Sequence, residues 1–343
     1  MEQNQANKKV ITVTLNPSLD RTLITHFLAV GYHNTTTEAT RLDPAGRGVS
    51  VSRALHALGV STHAIILVGH DATGRAYQAL LTEEQFPITV LRREGRTRSN
   101  IVIRDTGLDN ETVILEDSDG VSKADLDGVA EALRQLTAKG DTVVFAGSLP
   151  QDVPEDTYAW LVDVAQEAGA EVAINAGGGE ALRQALPAEP ELIYLTRVQV
   201  EGMFNIPVRE MEDVIGCAQK LREQGAGKVW IALPDMDAAL LVAEEGAWLG
   251  EMQELLPGTR SGQAEAMIAG YLAGRLSQRP LDEALEMGAA AAAFTGTQVG
   301  HTFGTLKDVQ EYADQVSVTP VEDTPAPPEN LDEDEESSSE SDS

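Results

Sequence analysis

The feature that most constrains this chain is a steady exchange of short β-branched runs with longer amphipathic ones, from residue 10 to beyond residue 290. Val10–Asn16 is dense in β-branched residues and ends on Asn16-Pro17, a pair that stops extension and favours a turn. Further strand-like runs are Ala64–Val68, Thr142–Phe145, Glu171–Asn175, Leu192–Leu195, Lys228–Leu233 and Ala239–Val242. Between them apolar residues recur at helical spacing in Val49–Leu58, Thr73–Thr82, Lys123–Ala138, Asp156–Ala168, Val208–Gln224, Gly262–Leu276 and Leu281–Phe294. Strands separated by helices pair in parallel, and the connecting helices cover both faces of the sheet. An α/β fold with a mostly parallel central sheet is therefore expected, with ligands at the carboxyl ends of the strands. Two stretches, residues 22–41 and 98–116, carry β-type segments such as Asn100–Arg104 and Glu111–Glu116 with no helix between them. They predict a small antiparallel sheet standing off the body as a lid.

A chain of 343 residues with 42% hydrophobic content can fill a sizeable core. No apolar run is long enough to span a bilayer, and the polar opening residues lack the apolar centre of a secretory peptide, so a cytoplasmic location is expected. The formal net charge of −30 repels nucleic acid and anionic membranes, because binding a phosphate backbone needs a positive patch. Ten of the acidic residues lie between Thr319 and Ser343 with no basic residue among them, a composition too charged to fold. The expected organisation is a disordered segment 1–9, one α/β domain over 10–314 and an acidic disordered tail 315–343. The single cysteine, Cys217, sits in an apolar stretch and reads as buried helix face rather than a nucleophile. The six histidines (His26, His33, His56, His63, His70 and His301) show no metal-ligand spacing and are expected on the surface or in the lid; no metal site is predicted.

Two segments suggest chemistry. Asp20, in Asn16-Pro17-Ser18-Leu19-Asp20, follows the first strand and is placed to accept hydrogen bonds from sugar hydroxyls, or else to satisfy a turn. The small-residue loop Asp43–Gly48 runs straight into a helix, where free N–H groups beside Arg47 make an anion site.

These segments, together with Thr97-Arg98-Ser99-Asn100, Ala146–Pro150 and Gly262–Gly270, occur in the order and spacing of the ribokinase-like (PfkB) sugar kinases. The chain resembles the 1-phosphofructokinase and tagatose-6-phosphate kinase branch of that family over roughly residues 10 to 312. The resemblance implies a Rossmann-type three-layer sandwich with a β-sheet lid, ATP with magnesium as phosphoryl donor, and a sugar phosphate such as fructose or tagatose phosphate as acceptor. It also implies a homodimer formed through the lid. Asp20, Gly46, Arg47, Ser50 and Asn100 would then form the sugar site, and Arg98 would hold the acceptor's phosphate. Arg98 has a rationale of its own, since a guanidinium fork matches phosphate bidentately.

The family's catalytic segment reads Gly-Ala-Gly-Asp, and the aligned residues here are Gly262-Gln263-Ala264-Glu265. Gly262, Gln263 and Ala264 correspond to the anion hole and Glu265 to the general base. A Cβ at Ala264, where the family has glycine, is expected to obstruct a left-handed turn or a close approach. Gln263 is expected to crowd the same cradle. A general base displaced by about 1 Å can lose on the order of 100-fold in rate. The sugar loop has Arg47 for lysine and Ser50 for asparagine. On the nucleotide side the resemblance falls on Thr196, Ala232 and Asp235, with Gln199 in place of a carboxylate. Together these departures predict a sugar-phosphate-binding pseudokinase with weak or no catalysis. Two alternatives stay open: an active 1-phosphofructokinase-type enzyme with Glu265 as base, and a non-catalytic structural or regulatory subunit.

Overall fold

The computed structural model describes residues 8–177, 179–234, 236–252, 261–298 and 300–321. The strands in chain order are β1 (Val10–Thr14), β2 (Ser18–Thr25), β3 (Arg41–Ala45), β4 (Thr62–Gly69), β5 (Ile88–Arg93), β6 (Arg98–Asp105), β7 (Asn110–Ile114), β8 (Thr142–Ala146), β9 (Glu171–Asn175), β10 (Leu192–Thr196), β11 (Lys228–Leu233), β12 (Ala238–Ala243), β13 (Gly246–Met252) and β14 (Val316–Pro320). The helices are α1 (Arg47–Ala57), α2 (Ala72–Leu81), α3 (Lys123–Leu136), α4 (Thr157–Glu167), α5 (Glu180–Ala185), α6 (Arg197–Phe204), α7 (Met211–Glu223), α8 (Gln263–Leu276), α9 (Leu281–Gly296) and α10 (Leu306–Ala313). A ten-stranded sheet runs in the order β14-β13-β12-β11-β10-β9-β8-β1-β4-β5. From β11 to β5 every neighbouring pair is parallel, and β12, β13 and β14 add antiparallel at one edge.

Both faces of the parallel ladder are covered, as the strand compositions require. Within β8, Val143 and Phe145 join a core built with α3, α4 and α7, whereas Val144 and Ala146 enter a second core with α1, α8 and α9. Successive side chains of one strand thus go into opposite layers, and the expected three-layer sandwich results. Helix α8 is buried from Glu265 to Gly274 because it lies between α1 and α9 on one face of the sheet. Small residues allow that approach: a Cβ built on Gly270 would lie 2.5 Å from the Met287 carbonyl oxygen and 2.9 Å from the Gly288 Cα. Among the described residues no helix is long and apolar enough to cross a membrane.

The small sheet, in the order β3-β2-β6-β7, differs from the expectation in one respect. It is mixed rather than antiparallel, because its central pair β2–β6 is parallel while β3 and β7 run antiparallel at the edges. The two central strands belong to separate excursions of the chain, so no hairpin joins them. Their register sorts the side chains: Asp43, Asp20 and Asn100 stand in one cross-strand row, and the next row is Leu42, Arg21, Ile101 and Ile114. The first row is buried, whereas Leu42, Ile101 and Ile114 in the second are exposed. Folded structure also extends past residue 314, where the acidic tail was expected to begin, since Val316–Pro320 pairs with β13. Residues 1–7 and 322–343, expected to be disordered, lie outside the described residues.

The α8–α9 contact yields a stability prediction. Gly270→Ala improves intrinsic helix propensity by up to about 1 kcal/mol but drives a methyl into backbone that cannot swing aside. The variant is expected to lose about 1–3 kcal/mol in urea denaturation; equal or greater stability would mean that α8 and α9 are not so closely packed.

Candidate active site

Two helix amino termini face the carboxyl ends of the parallel strands. Helix α1 starts after Gly46, whose φ of 136° and closeness to Thr14 (2.7 Å from an added Cβ) require glycine. Helix α8 starts after Gly262, which takes the left-handed conformation at φ 84°. Neither start is capped by the residue before it, unlike α2, α3, α6 and α10. At α1 the Val49 N–H is taken by Thr14 Oγ1 at 3.0 Å, and the remaining first-turn N–H groups of both helices are left for an anion.

The position of Gly262 corrects the expectation for Ala264. The left-handed turn falls on Gly262, where glycine is retained, while Ala264 lies inside α8 with ordinary helical backbone. Its methyl therefore imposes no backbone strain. Gln263 is turned against α9, with its amide nitrogen 2.1 Å from where a Cβ on Gly296 would stand. The bulk expected in the cradle is accommodated by that glycine.

Side chains converge on this framework from several elements. Asp20 on β2 is buried, and its Oδ1 accepts hydrogen bonds from Ser18 Oγ (2.7 Å) and Asn100 Nδ2 (2.9 Å). Its other oxygen, Oδ2, lies 3.4 Å from His301 Nε2, and His301 Nδ1 is 3.4 Å from Ser50 Oγ on α1. Glu265, in the first turn of α8, is buried with Oε1 3.8 Å from Arg47 Nε. Arg47 also donates to Asn175 Oδ1 at 3.1 Å, at the carboxyl end of β9. Arg98 donates to the Asn16 carbonyl at 3.4 Å, and Asn16 in turn donates from Nδ2 to Ser148 Oγ at 3.3 Å. Asp20, Arg47, Ser50, Arg98, Asn100, Gly262 and Glu265, each singled out in the sequence, thus border one crevice.

The polar atoms left over are informative. Asn16 Oδ1, Asn175 Nδ2 and Arg98 Nε are buried without a hydrogen-bond partner among the described residues. Buried polar groups are rarely left unpaired, so an unpaired donor and acceptor set bordering one crevice marks a place for a polar ligand. Burial lowers the proton affinity of Arg98, while Asp20 opposes the shift. Burial also pulls the His301 imidazole down, but the hydrogen bond and charge of Asp20, with Glu265 and Asp43, raise it overall above the ordinary histidine value.

His301 and Asn175 are the functional candidates that the sequence did not single out. His301 had been expected at the surface or in the lid, yet its side chain is only 14% exposed and faces Asp20 and Ser50. The run Gly300-His301-Thr302-Phe303-Gly304 after α9, rich in small residues, was the signal available. Cys217 is buried as expected, and burial, aided by Asp213, pushes its thiol up to about 11. On the nucleotide side, Thr196 and Ala232 are register partners at the ends of β10 and β11. Thr196 caps α6 by accepting from the Gln199 N–H, and the Gln199 side chain accepts from the Thr196 N–H. Glu201 accepts from the Val208 N–H at 3.0 Å and so serves its own loop. Asp235 lies outside the described residues.

Magnesium fits this set poorly as an ion held by protein alone. Among the described residues no three His, Cys, Asp or Glu side chains gather to hold one, and Gln199 stands where the resemblance placed a carboxylate. Magnesium commonly reaches such sites on nucleotide phosphates with most of its waters kept.

The pfkB carbohydrate kinase model matches residues 13–308. This chain belongs to that family. A 1-phosphofructokinase of Bacillus subtilis is 31% identical over 310 residues, covering 90% of this chain and 99% of the relative. A 1-phosphofructokinase of Escherichia coli is 29% identical over 85% of this chain and 92% of its own length. Among solved structures, phosphofructokinase-2 from Escherichia coli in complex with substrates and products superposes with a TM-score of 0.82 at 25% identity, covering 90% of this chain and 99% of that one. The three-layer sandwich and the separate small sheet are thus those of a pfkB kinase.

The left-handed Gly262 generates a prediction. Gly262→Ala forces a side chain into a conformation costing roughly 1–2 kcal/mol and sets its Cβ 3.2 Å from the Phe303 ring. Urea unfolding should show a loss of at least that size, and an unchanged midpoint would show that this turn is not left-handed.

Proposed function

We propose that this protein transfers the γ-phosphoryl group of ATP to a hydroxyl of a fructose phosphate, in the manner of a 1-phosphofructokinase, with Glu265 as general base. The observation that carries the reading is the placement of Glu265: a buried carboxylate in the first turn of an uncapped helix, in one crevice with Asp20, Arg47 and Arg98. Asp20 and Asn100 would hold the sugar hydroxyls, and Arg98 the acceptor's own phosphate. The N–H groups that follow Gly262 would meet the charge on the transferring phosphoryl. As the acceptor oxygen bonds to phosphorus and the bond to ADP breaks, Glu265 would take the hydroxyl proton. Magnesium, when bound with the nucleotide, supplies charge neutralisation at the phosphates. Fructose 1-phosphate is the acceptor suggested by the names of the relatives, and tagatose 6-phosphate the alternative. A cytoplasmic location accords with this reading.

A second reading, binding of a sugar phosphate without turnover, is favoured by one feature. Gln199 is neutral and committed to the α6 cap, so the carboxylate expected on the magnesium side is missing. One assay separates the two. Coupled ADP production with magnesium, ATP and fructose 1-phosphate should run at about 1–100 s⁻¹, the usual kinase range. Glu265→Gln should lower kcat by roughly 10²–10⁴-fold with KM for the sugar little changed. A wild-type rate indistinguishable from the Glu265→Gln rate would support binding without turnover.

We also infer that the small sheet joins two copies of the chain. Leu42, Ile101 and Ile114 share one face of its strands, and these, with Phe27 and Tyr32 on the loop that follows β2, are large hydrophobics left exposed. A sheet face this apolar is one that water does not favour. Sedimentation equilibrium should give a dimer for the full chain and a monomer for Ile101→Lys, and a monomeric wild-type chain would rule the interface out.

A further inference from the structure

We propose that His301 is a positioning residue for sugar recognition: by joining Asp20 on β2 to Ser50 on α1, its imidazole fixes the carboxylate that receives the acceptor's hydroxyls and makes sugar-phosphate affinity depend on pH. The inference rests on the reading that Asp20 holds the acceptor sugar.

Three observations carry it. First, Oδ1 of Asp20 is engaged by Ser18 and Asn100, while Oδ2 faces His301, so the imidazole braces the second oxygen of the same planar group. Second, Ser50 is too short to reach Asp20 itself, and His301 stands between them with one ring nitrogen 3.4 Å from each. The Asp20 contact is long for a neutral hydrogen bond, and both the hydrogen bond and the charge of Asp20 favour the protonated ring. Third, the backbone that carries the ring is held, since Arg41 donates to the His301 carbonyl at 3.5 Å and to Thr302 Oγ1 at 3.1 Å.

The charges around the ring set the sign of the pH dependence. On β3, Asp43 faces it but is paired with Arg41 at 2.8 Å. On α8, Glu265 faces it but has Arg47 of α1 at 3.8 Å. Arg98 on β6 acts on Asp20 at longer range. Asp20 is the carboxylate left to His301 for close compensation, and the two attract when the ring is protonated. The raised proton affinity of His301 means that the ring stays charged at pH values where an ordinary histidine would have begun to lose its proton. As the pH climbs through that raised value, Asp20 loses its nearby counter-charge, its orientation is released, and an anionic sugar meets a more negative site. Affinity is therefore full at the acid side and falls as pH rises.

The test is calorimetric titration of the full chain with fructose 1-phosphate between about pH 6 and 9, the range that brackets a raised histidine. The unaltered chain should bind about tenfold more weakly at the alkaline end, a loss of about 1.4 kcal/mol. In His301→Gln, whose amide nitrogen can still donate to Asp20, that loss with pH should disappear. The phosphate of the ligand ionises identically in both proteins, so the difference between their slopes isolates residue 301. His301→Ala should bind weakly throughout. Alongside, NMR titration of the His301 ring should move toward ordinary values in Asp20→Asn. A slope retained in His301→Gln, or a ring titration unmoved by Asp20→Asn, overturns the proposal while leaving the proposed function intact. No binding by the unaltered chain at any pH overturns the proposed function first and this inference with it.

Discussion

Everything in this molecule follows from a parallel ladder buried on both faces. Its strands can carry almost no polar side chain along their length, because each residue enters one of two apolar layers. Polar chemistry is therefore confined to where the strands stop. Asn16, Ser148, Asn175 and Thr196 lie at or just beyond the carboxyl ends of β1, β8, β9 and β10, and the starts of α1 and α8 are brought to the same edge. The crevice is a consequence of core packing as much as of selection on its residues.

The small sheet supplies the opposite wall, and its register decides what that wall contains. Asp20 pairs across to Asp43 on one side and Asn100 on the other, so a single row delivers polar groups inward. A slip of one residue in β2 would carry Arg21 inward and Asp20 out to the apolar face. The same alternation leaves Leu42, Ile101 and Ile114 outside, which links the polar inner wall and the apolar outer face to one geometrical fact.

Much of this was legible in the chain. The β-branched runs at Val10–Thr14 and Thr142–Ala146 and the apolar periodicity of α8 and α9 announce the sandwich, and the ordered motifs announce the family. Other features were not. Strand β13 contains Gly246 and Gly250, and β5 ends in Arg92-Arg93, so neither looks like a strand until a neighbour pairs with it. Strand β14 borders an acidic stretch whose composition hides a five-residue edge strand. The parallel pairing of β2 with β6 depends on how two distant excursions leave the body, which no local pattern records. At the site, sequence identified the left-handed requirement but assigned it to Ala264, since only backbone geometry shows that Gly262 bears it. His301 was missed because a histidine far along the chain from its carboxylate carries no spacing signal.

The central claim is that Glu265, at the start of α8, faces the acceptor hydroxyl of a sugar that Asp20 holds. A crystal structure of the chain with fructose 1-phosphate and a non-hydrolysable ATP analogue tests it most directly. The account predicts sugar hydroxyls on Asp20 and Asn100, the sugar's phosphate on Arg98, and the free acceptor hydroxyl about 2.6–3.2 Å from a Glu265 carboxylate oxygen. A sugar bound elsewhere, or a Glu265 carboxylate drawn onto Arg47 and out of reach of any hydroxyl, would contradict it.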